Sequence, residues 1–230
     1  MKAVLNRKGR PFSWSFSALE KYEICPSQYA ALKFYCTVQE TDNEANIWGQ
    51  RVHKALEERV RDGKALEEGM KGFEKWARVV EQTPGEKRFE HQIAVDRSMK
   101  PVEWFSRQAW LRVVIDVLNV DGVRATLLDW KTGKVKHDPT QLALSSVVVS
   151  KLHPGVGEFN CRFVWLKHDH ATGAVYQKRD LELVWEGIST RVERMEAAWA
   201  SEEFPCNPSG LCRGWCPCTE CIHWRPRRER

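Results

Sequence analysis

No stretch of the 230-residue chain comes near the roughly 20 consecutive apolar residues that a membrane-spanning helix needs, so none is expected. The N-terminal MKAVLNRKGRPFSWSFSAL carries basic residues but no continuous apolar core ahead of a small-residue cleavage site. A secretory leader is therefore not expected, and the chain reads as cytoplasmic. Internal repeats are missing as well. What is present is an ordinary balance of 42% hydrophobic and 29% charged residues, which excludes wholesale disorder. The formal charge of +5 permits contact with nucleic acid without requiring it, and the basic end, WRPRRER, reads as a solvated tail.

Cysteine is the strong compositional signal. Of the 8 cysteines, Cys206, Cys212, Cys216, Cys218 and Cys221 crowd into one short segment. Without a secretion signal, such a group favours metal or iron-sulfur ligation over a disulfide framework.

The chain length suits one substantial core, so residues 1–230 are expected to form a single domain. Residues 13–82 read as mainly helical. Ser17 with Glu20 matches a capping box, Pro26 restarts the chain after Cys25, and Trp48, Val52, Ala55 and Leu56 recur at helical spacing on a segment carrying Gly49 and His53. Residues 87–178 read as a sheet-containing core, 180–204 as a long helix, and 205–230 as a Cys-rich, basic segment broken by Pro and Gly. Between the strands, residues 140–152 read as a helix despite the β-branched Val147-Val148-Val149, which weakens the helical propensity.

The centre of the pattern is Ala109–Thr132, two apolar strands joined at Asp121-Gly122, a dipeptide suited to a type I′ hairpin turn. With those two as the turn residues, Asp116 pairs with Leu127 and Val114 with Asp129. Asp116, Asp129 and Lys131 then share one face, with the two acids as diagonal neighbours roughly 7 Å apart. Two carboxylates at that separation can converge on a hard cation such as Mg²⁺. Phosphodiester hydrolysis calls for those residue types, acids to hold one or two divalent ions and an ammonium to orient water or stabilise charge. A salt-bridged sheet edge is the plainer reading, but acids set among Val114, Leu118 and Leu127 need pairing or a metal. His53 is a further candidate ligand, imidazole accepting Mn²⁺ or Fe²⁺ more readily than Mg²⁺. Glu90 lies in the preceding strand, although Glu57, Glu58 and Glu86 are equally available by sequence.

Gly49-xxx-His53, a strand ending at Asp116, Leu-Leu-Asp129-Trp-Lys131-Thr-Gly, and Gln141-Leu after it resemble the ordered motifs of the PD-(D/E)xK nuclease superfamily. The resemblance runs over residues 13 to 224 and points to its RecB-like exonucleases. It implies an α/β, restriction-endonuclease-like fold with a mixed central sheet flanked by helices. It also implies a metal-dependent deoxyribonuclease, an exonuclease of DNA end processing or recombination, using Mg²⁺ or Mn²⁺. A phage origin, with action in the host cytoplasm, is a compatible setting. In that resemblance His53, Asp116, Asp129 and the carbonyl of Trp130 hold metal, Lys131 is the catalytic lysine, and Gln141 organises the site and contacts DNA. Lys134, Lys136 and the Trp130 ring are further candidates for placing nucleic acid, single-stranded or with free ends, although strand parity also puts that ring in the core. The sequence departs from the family at 142–150, LALSSVVVS, where a tyrosine is common, and at Val114, where glycine is common.

Cys212, Cys216 and Cys221 lie close enough in sequence to cradle one metal centre, and Cys25 can complete four ligands from a distant helix junction. Cys218 and Cys206 are alternates, while Cys36 and Cys161 read as buried small hydrophobes. Four thiolates suit Zn²⁺ or an iron-sulfur cluster. Certain RecB-like nucleases hold a [4Fe-4S] cluster with one N-terminal and three C-terminal cysteines, and the resemblance implies the same for Cys25, Cys212, Cys216 and Cys221. The competing functions are a catalytically weak nucleic-acid-binding protein and a zinc-stabilised assembly protein.

Overall fold

Six strands build one sheet in the order β2-β1-β3-β4-β5-β6 in a computed structural model that describes residues 4–40, 42–135 and 138–227. They are β1 (Glu86–Val95), β2 (Pro101–Val102), β3 (Leu111–Asp121), β4 (Arg124–Lys131), β5 (Glu158–Trp165) and β6 (His170–Gln177). Only β4 and β5 run parallel, joined by the crossover helix that such a pair requires; the other neighbours are antiparallel.

Helices cover both faces. α1 (Phe16–Ile24), α2 (Pro26–Tyr29), α5 (Thr140–Leu152) and α6 (Leu181–Ser201) enclose the larger core, through Leu19, Tyr29, Leu144, Val148, Met195 and Trp199. α3 (Glu44–Asp62) and α4 (Glu74–Gln82) enclose the smaller one, where Val52, Leu56 and Val80 meet Val117, Leu128 and Trp130. This mixed sheet between helical layers is the restriction-endonuclease-like architecture expected from the motifs.

Local chemistry explains most boundaries and corrects some expectations. The cap of α1 is Ser15, whose hydroxyl accepts from Ala18 N, so Ser17 lies inside the helix. Asn43 caps α3 and Gly63 ends it at φ 72°. Beyond α2 the chain widens into a π-turn at Ala30–Phe34, which packs Phe34 edge-on against Trp199. The valine-rich α5 is buried from Leu142 through Ser150, so tertiary packing overrides β-branched propensity there. Cys161 is fully buried, but Cys36 is only half-buried, at φ 53°, contrary to its reading as a core thiol.

The hairpin turn is Gly122-Val123, with Asp121 paired to Arg124, not Asp121-Gly122. The left-handed residue is Gly122 alone, at φ 55°, so the two positive φ angles of a type I′ turn are not met. Extending this register sets Asp116 directly opposite Asp129 instead of diagonal to it. The displacement is an even number of residues, so it does not by itself change strand parity.

Candidate active site

The two strands stop pairing where the acids begin. Ladder bonding between β3 and β4 ends at Val117 and Leu128. Two residues further along β4, the Trp130 amide donates to Asp116 Oδ2 at 2.6 Å, so a carboxylate occupies the acceptor position that a backbone carbonyl would fill in a continued ladder. Beyond this point β3 takes a different neighbour: Trp14 N donates to Trp110 O, and Arg112 N to Trp14 O, both at 2.9 Å. The sheet therefore splays into a cleft, with β4 on one wall and residues 13–18 on another.

A second irregularity coincides with the first. Phe89 and Val117 pack in the smaller core, yet Ile93, Val95, Val113 and Ile115, which share their strand parity, pack in the larger. The alternation of β1 and β3 inverts across Glu90 and Asp116, which face each other by register. Glu90 takes φ 44°, a left-handed conformation costly for a residue with a Cβ, and it places a like charge opposite Asp116. Neither feature helps an empty sheet; both make sense at a cation site.

Each helical layer sends one side chain into the splay. From α3, His53 Nε2 sits 2.8 Å from the Trp130 carbonyl, and Nδ1 lies 3.3 Å from Asp116 Oδ2 and 3.7 Å from Glu90 Oε1. Gly49, one turn earlier, lets α3 approach the end of β4, since a Cβ there would stand 3.3 Å from Thr132 Oγ1. From α5, Gln141 bridges, donating to Asp129 Oδ1 at 3.1 Å and accepting from Lys131 Nζ at 3.1 Å. Lys131 Nζ is also 2.6 Å from Asp129 Oδ2.

The acids are only 7% and 6% exposed, at Asp116 and Asp129. Burial, then the Asp116 charge, raises Asp129 from the usual 3.8 to about 7, against the opposing pull of Lys131. For His53, burial works against the charged form, but hydrogen bonding to Asp116 and Glu90 prevails and lifts it to about 10. Negative charge is thus held at a cost, which a divalent cation would relieve. Ligand atoms of His53, Glu90 and Asp116 all fall within 4.8 Å of one another, a separation one ion can span. Glu90 is the residue that sequence reasoning could not single out, because its selection depends on its position opposite Asp116.

The Trp130 ring is 2% exposed in the smaller core and cannot stack on a base, while its amide and carbonyl contact Asp116 and His53. Lys134 lines a small side cleft with Lys131, Gln141 and Phe163. Lys136 lies outside the described residues. At the position one turn beyond Gln141 stands Ser145, whose hydroxyl donates to the Gln141 carbonyl at 3.1 Å.

Far from the acids, Cys25, Cys206, Cys212, Cys216, Cys218 and Cys221 all border one small recess, together with His223. Cys206 and Cys221 sulfurs are 4.0 Å apart. Burial, with crowding by Cys216, Cys221 and Cys25, pushes the Cys218 thiol up. Protein contacts already seat the C-terminal segment on α1 and α2: Asn207 Nδ2 donates to Ile24 O at 2.9 Å and Ser27 N to Pro205 O at 3.2 Å.

A mixed sheet opening onto buried acids, with a lysine two residues beyond the second, defines a nuclease-like site. The chain belongs to the PD-(D/E)XK nuclease superfamily, which it matches over residues 13–221. Among solved structures it is similar to a protein of Eubacterium rectale described as a "putative exonuclease". The identity is 12% and the TM-score 0.52, with 95% of this chain and 90% of the other covered, a likeness of fold. No curated protein matches the sequence significantly. Among the described residues, no helix is long and apolar enough to cross a membrane.

Proposed function

We propose that this nuclease is a divalent-metal-dependent deoxyribonuclease that works as an exonuclease in DNA end processing or recombination. The observation that carries the reading is the convergence of His53, Glu90 and Asp116, with ligand atoms within 4.8 Å of one another, beside the Asp129–Lys131–Gln141 chain. His53, Asp116, Asp129 and the Trp130 carbonyl, with Glu90, are the groups that would hold Mg²⁺ or Mn²⁺. Such an ion supplies an activated water and neutralises charge on the phosphate. Gln141 and Asp129 together fix the Lys131 ammonium, which orients the water and stabilises charge developing on the scissile phosphate.

The six-thiol recess supports a structural [4Fe-4S] cluster held by Cys25, Cys212, Cys216 and Cys221, with Cys218 and Cys206 as alternates and Zn²⁺ as the competing occupant. Its role is to fasten the C-terminal segment to α1 and α2; no redox step is assigned. Anaerobic purification separates the occupants, because an iron-sulfur cluster absorbs broadly near about 400 nm and zinc does not.

The catalytic reading is tested with end-labelled and circular DNA, single- and double-stranded, in Mg²⁺ or Mn²⁺. Wild type is expected to require a free end, and Lys131→Ala to lower the cleavage rate by about 10²–10³-fold with its fold retained. Absence of divalent-dependent cleavage of every substrate by wild type would sink the enzymatic reading and favour a catalytically weak DNA-binding protein.

A further inference from the structure

The splay opens into a cleft of about 650 Å³ whose inner end is Lys131 and Gln141 and whose outer part carries Arg10, Lys33, Trp104 and Arg112. β3 forms its floor from Arg112 to Val114, and Arg112 lies four residues from Asp116, about 13 Å along the strand. Among the described residues, Arg10, Lys33 and Arg112 have no carboxylate within ion-pair distance, unlike Lys131 and Lys21, which pair with Asp129 and Glu40. Burial, then the neighbouring charge of Arg10, holds Arg112 below the ordinary arginine range. Against the single acid of the lining, Glu20, these three cations leave the groove with an excess of positive charge, an arrangement suited to a polyanion.

The outer lip is a braced turn. Arg112 Nε donates to Trp104 O at 2.9 Å, with its guanidinium 5.8 Å from the Trp104 ring centre. Arg107 ties the same turn to the N-terminal segment by donating to Gly9 O at 3.0 Å. Next to Trp104 stands Phe105, 91% exposed on backbone that Ser106 N fixes to Glu103 O at 2.9 Å. Exposing a phenyl ring on a hydrogen-bonded turn serves no packing purpose, whereas an aromatic face beside a cationic groove is how unpaired bases are held.

We propose that this cleft is a track for one DNA strand and that Phe105 stacks on an unpaired base at its entrance, selecting single-stranded over duplex DNA. The proposal rests on the nuclease reading for the identity of the polymer. It also follows from the depth of the acids, which sit below the surface, where a flexible strand can lower a phosphate and a stiff duplex cannot follow.

Binding without turnover tests it, so that loss of catalysis cannot be mistaken for loss of the track. Fluorescein-labelled oligo(dT) and a blunt duplex of equal length are titrated with the full chain, cysteine site loaded, in the absence of added divalent ions. Wild type is expected to bind the single strand at least about tenfold more tightly than the duplex. Phe105→Ala is expected to weaken single-strand binding about 5- to 10-fold, Phe105→Tyr to retain it, and Leu183→Ala, an exposed apolar control on α6, to leave it unchanged. Arg10→Ala is expected to reduce the slope of log affinity against log salt by about 0.7, the loss of one phosphate contact. Equal affinity for duplex, or unchanged single-strand binding in Phe105→Ala, overturns the proposal. Binding that follows these expectations in a protein that cuts nothing would keep the track and discard the nuclease reading.

Discussion

The acidic site and the thiol recess are assembled by opposite means. Asp116 and Asp129 sit on strands with cores behind both faces, so the scaffold forces together charges that repel. The thiols lie on loops whose residues are mostly exposed, gathered by a few hydrogen bonds to α1 and α2. One region has the packing on both faces to hold a strained arrangement; the other has little, and is held by a few hydrogen bonds.

The largest contrast should come from emptying the recess. Chelation, or Cys25→Ser, is expected to lower amide protection at residues 24–29 and 205–224 by at least about 100-fold, while β3 and β4 keep theirs. Hydrogen exchange read by mass spectrometry decides this; uniform loss across both regions would erase the distinction.

Titration should sharpen the other half. Asp129 is raised from 3.8 to about 7 and His53 from 6.5 to about 10, so the folded state holds both protons more tightly than the unfolded chain. Each contributes stability that is complete below its unfolded value and lost as pH rises through its folded one. Metal-free protein should therefore lose melting temperature through Asp129 between pH 3.8 and about 7, and further through His53 up to about pH 10. Saturating Mn²⁺ should reverse the trend by favouring the deprotonated groups. Thermal melts against pH, with Asp129→Asn as reference, test it: an identical slope in the variant would remove Asp129 as the cause.

The smallest expected effect is the most local. Glu90→Gly removes the strain at φ 44° and the charge opposed to Asp116, so the metal-free protein should gain roughly 1 kcal/mol. The same change should weaken Mn²⁺ binding measured by calorimetry. Unchanged Mn²⁺ affinity would show that Glu90 is not part of the cation site.

Much of the architecture was legible because it follows from periodicity and order. Apolar strands around 111–131, the helical spacing through His53 and the late helix 181–201 correspond to elements in the structure. The hairpin turn was misplaced because Asp-Gly is only a local preference; the ladder with β1 and β5 sets the pairing. A shift of two residues keeps sheet parity, but the inversion of β3 at Asp116 lies beyond what parity alone can foresee. Ser17 matches a capping box, but Ser15 offers the same chemistry two residues earlier, and only the start of helical backbone separates them.

Residue types and their order make the chemistries available: two acids, a lysine, a histidine and a glutamine in a superfamily order, with thiols at both ends. The packed fold supplied the rest. It set Asp116 against Asp129, inverted the strands at Glu90, buried the Trp130 ring and opened the cleft under Trp104. Each of these depends on which strand lies beside which, and β-pairing is a long-range choice made by burial and backbone hydrogen bonding across the whole sheet.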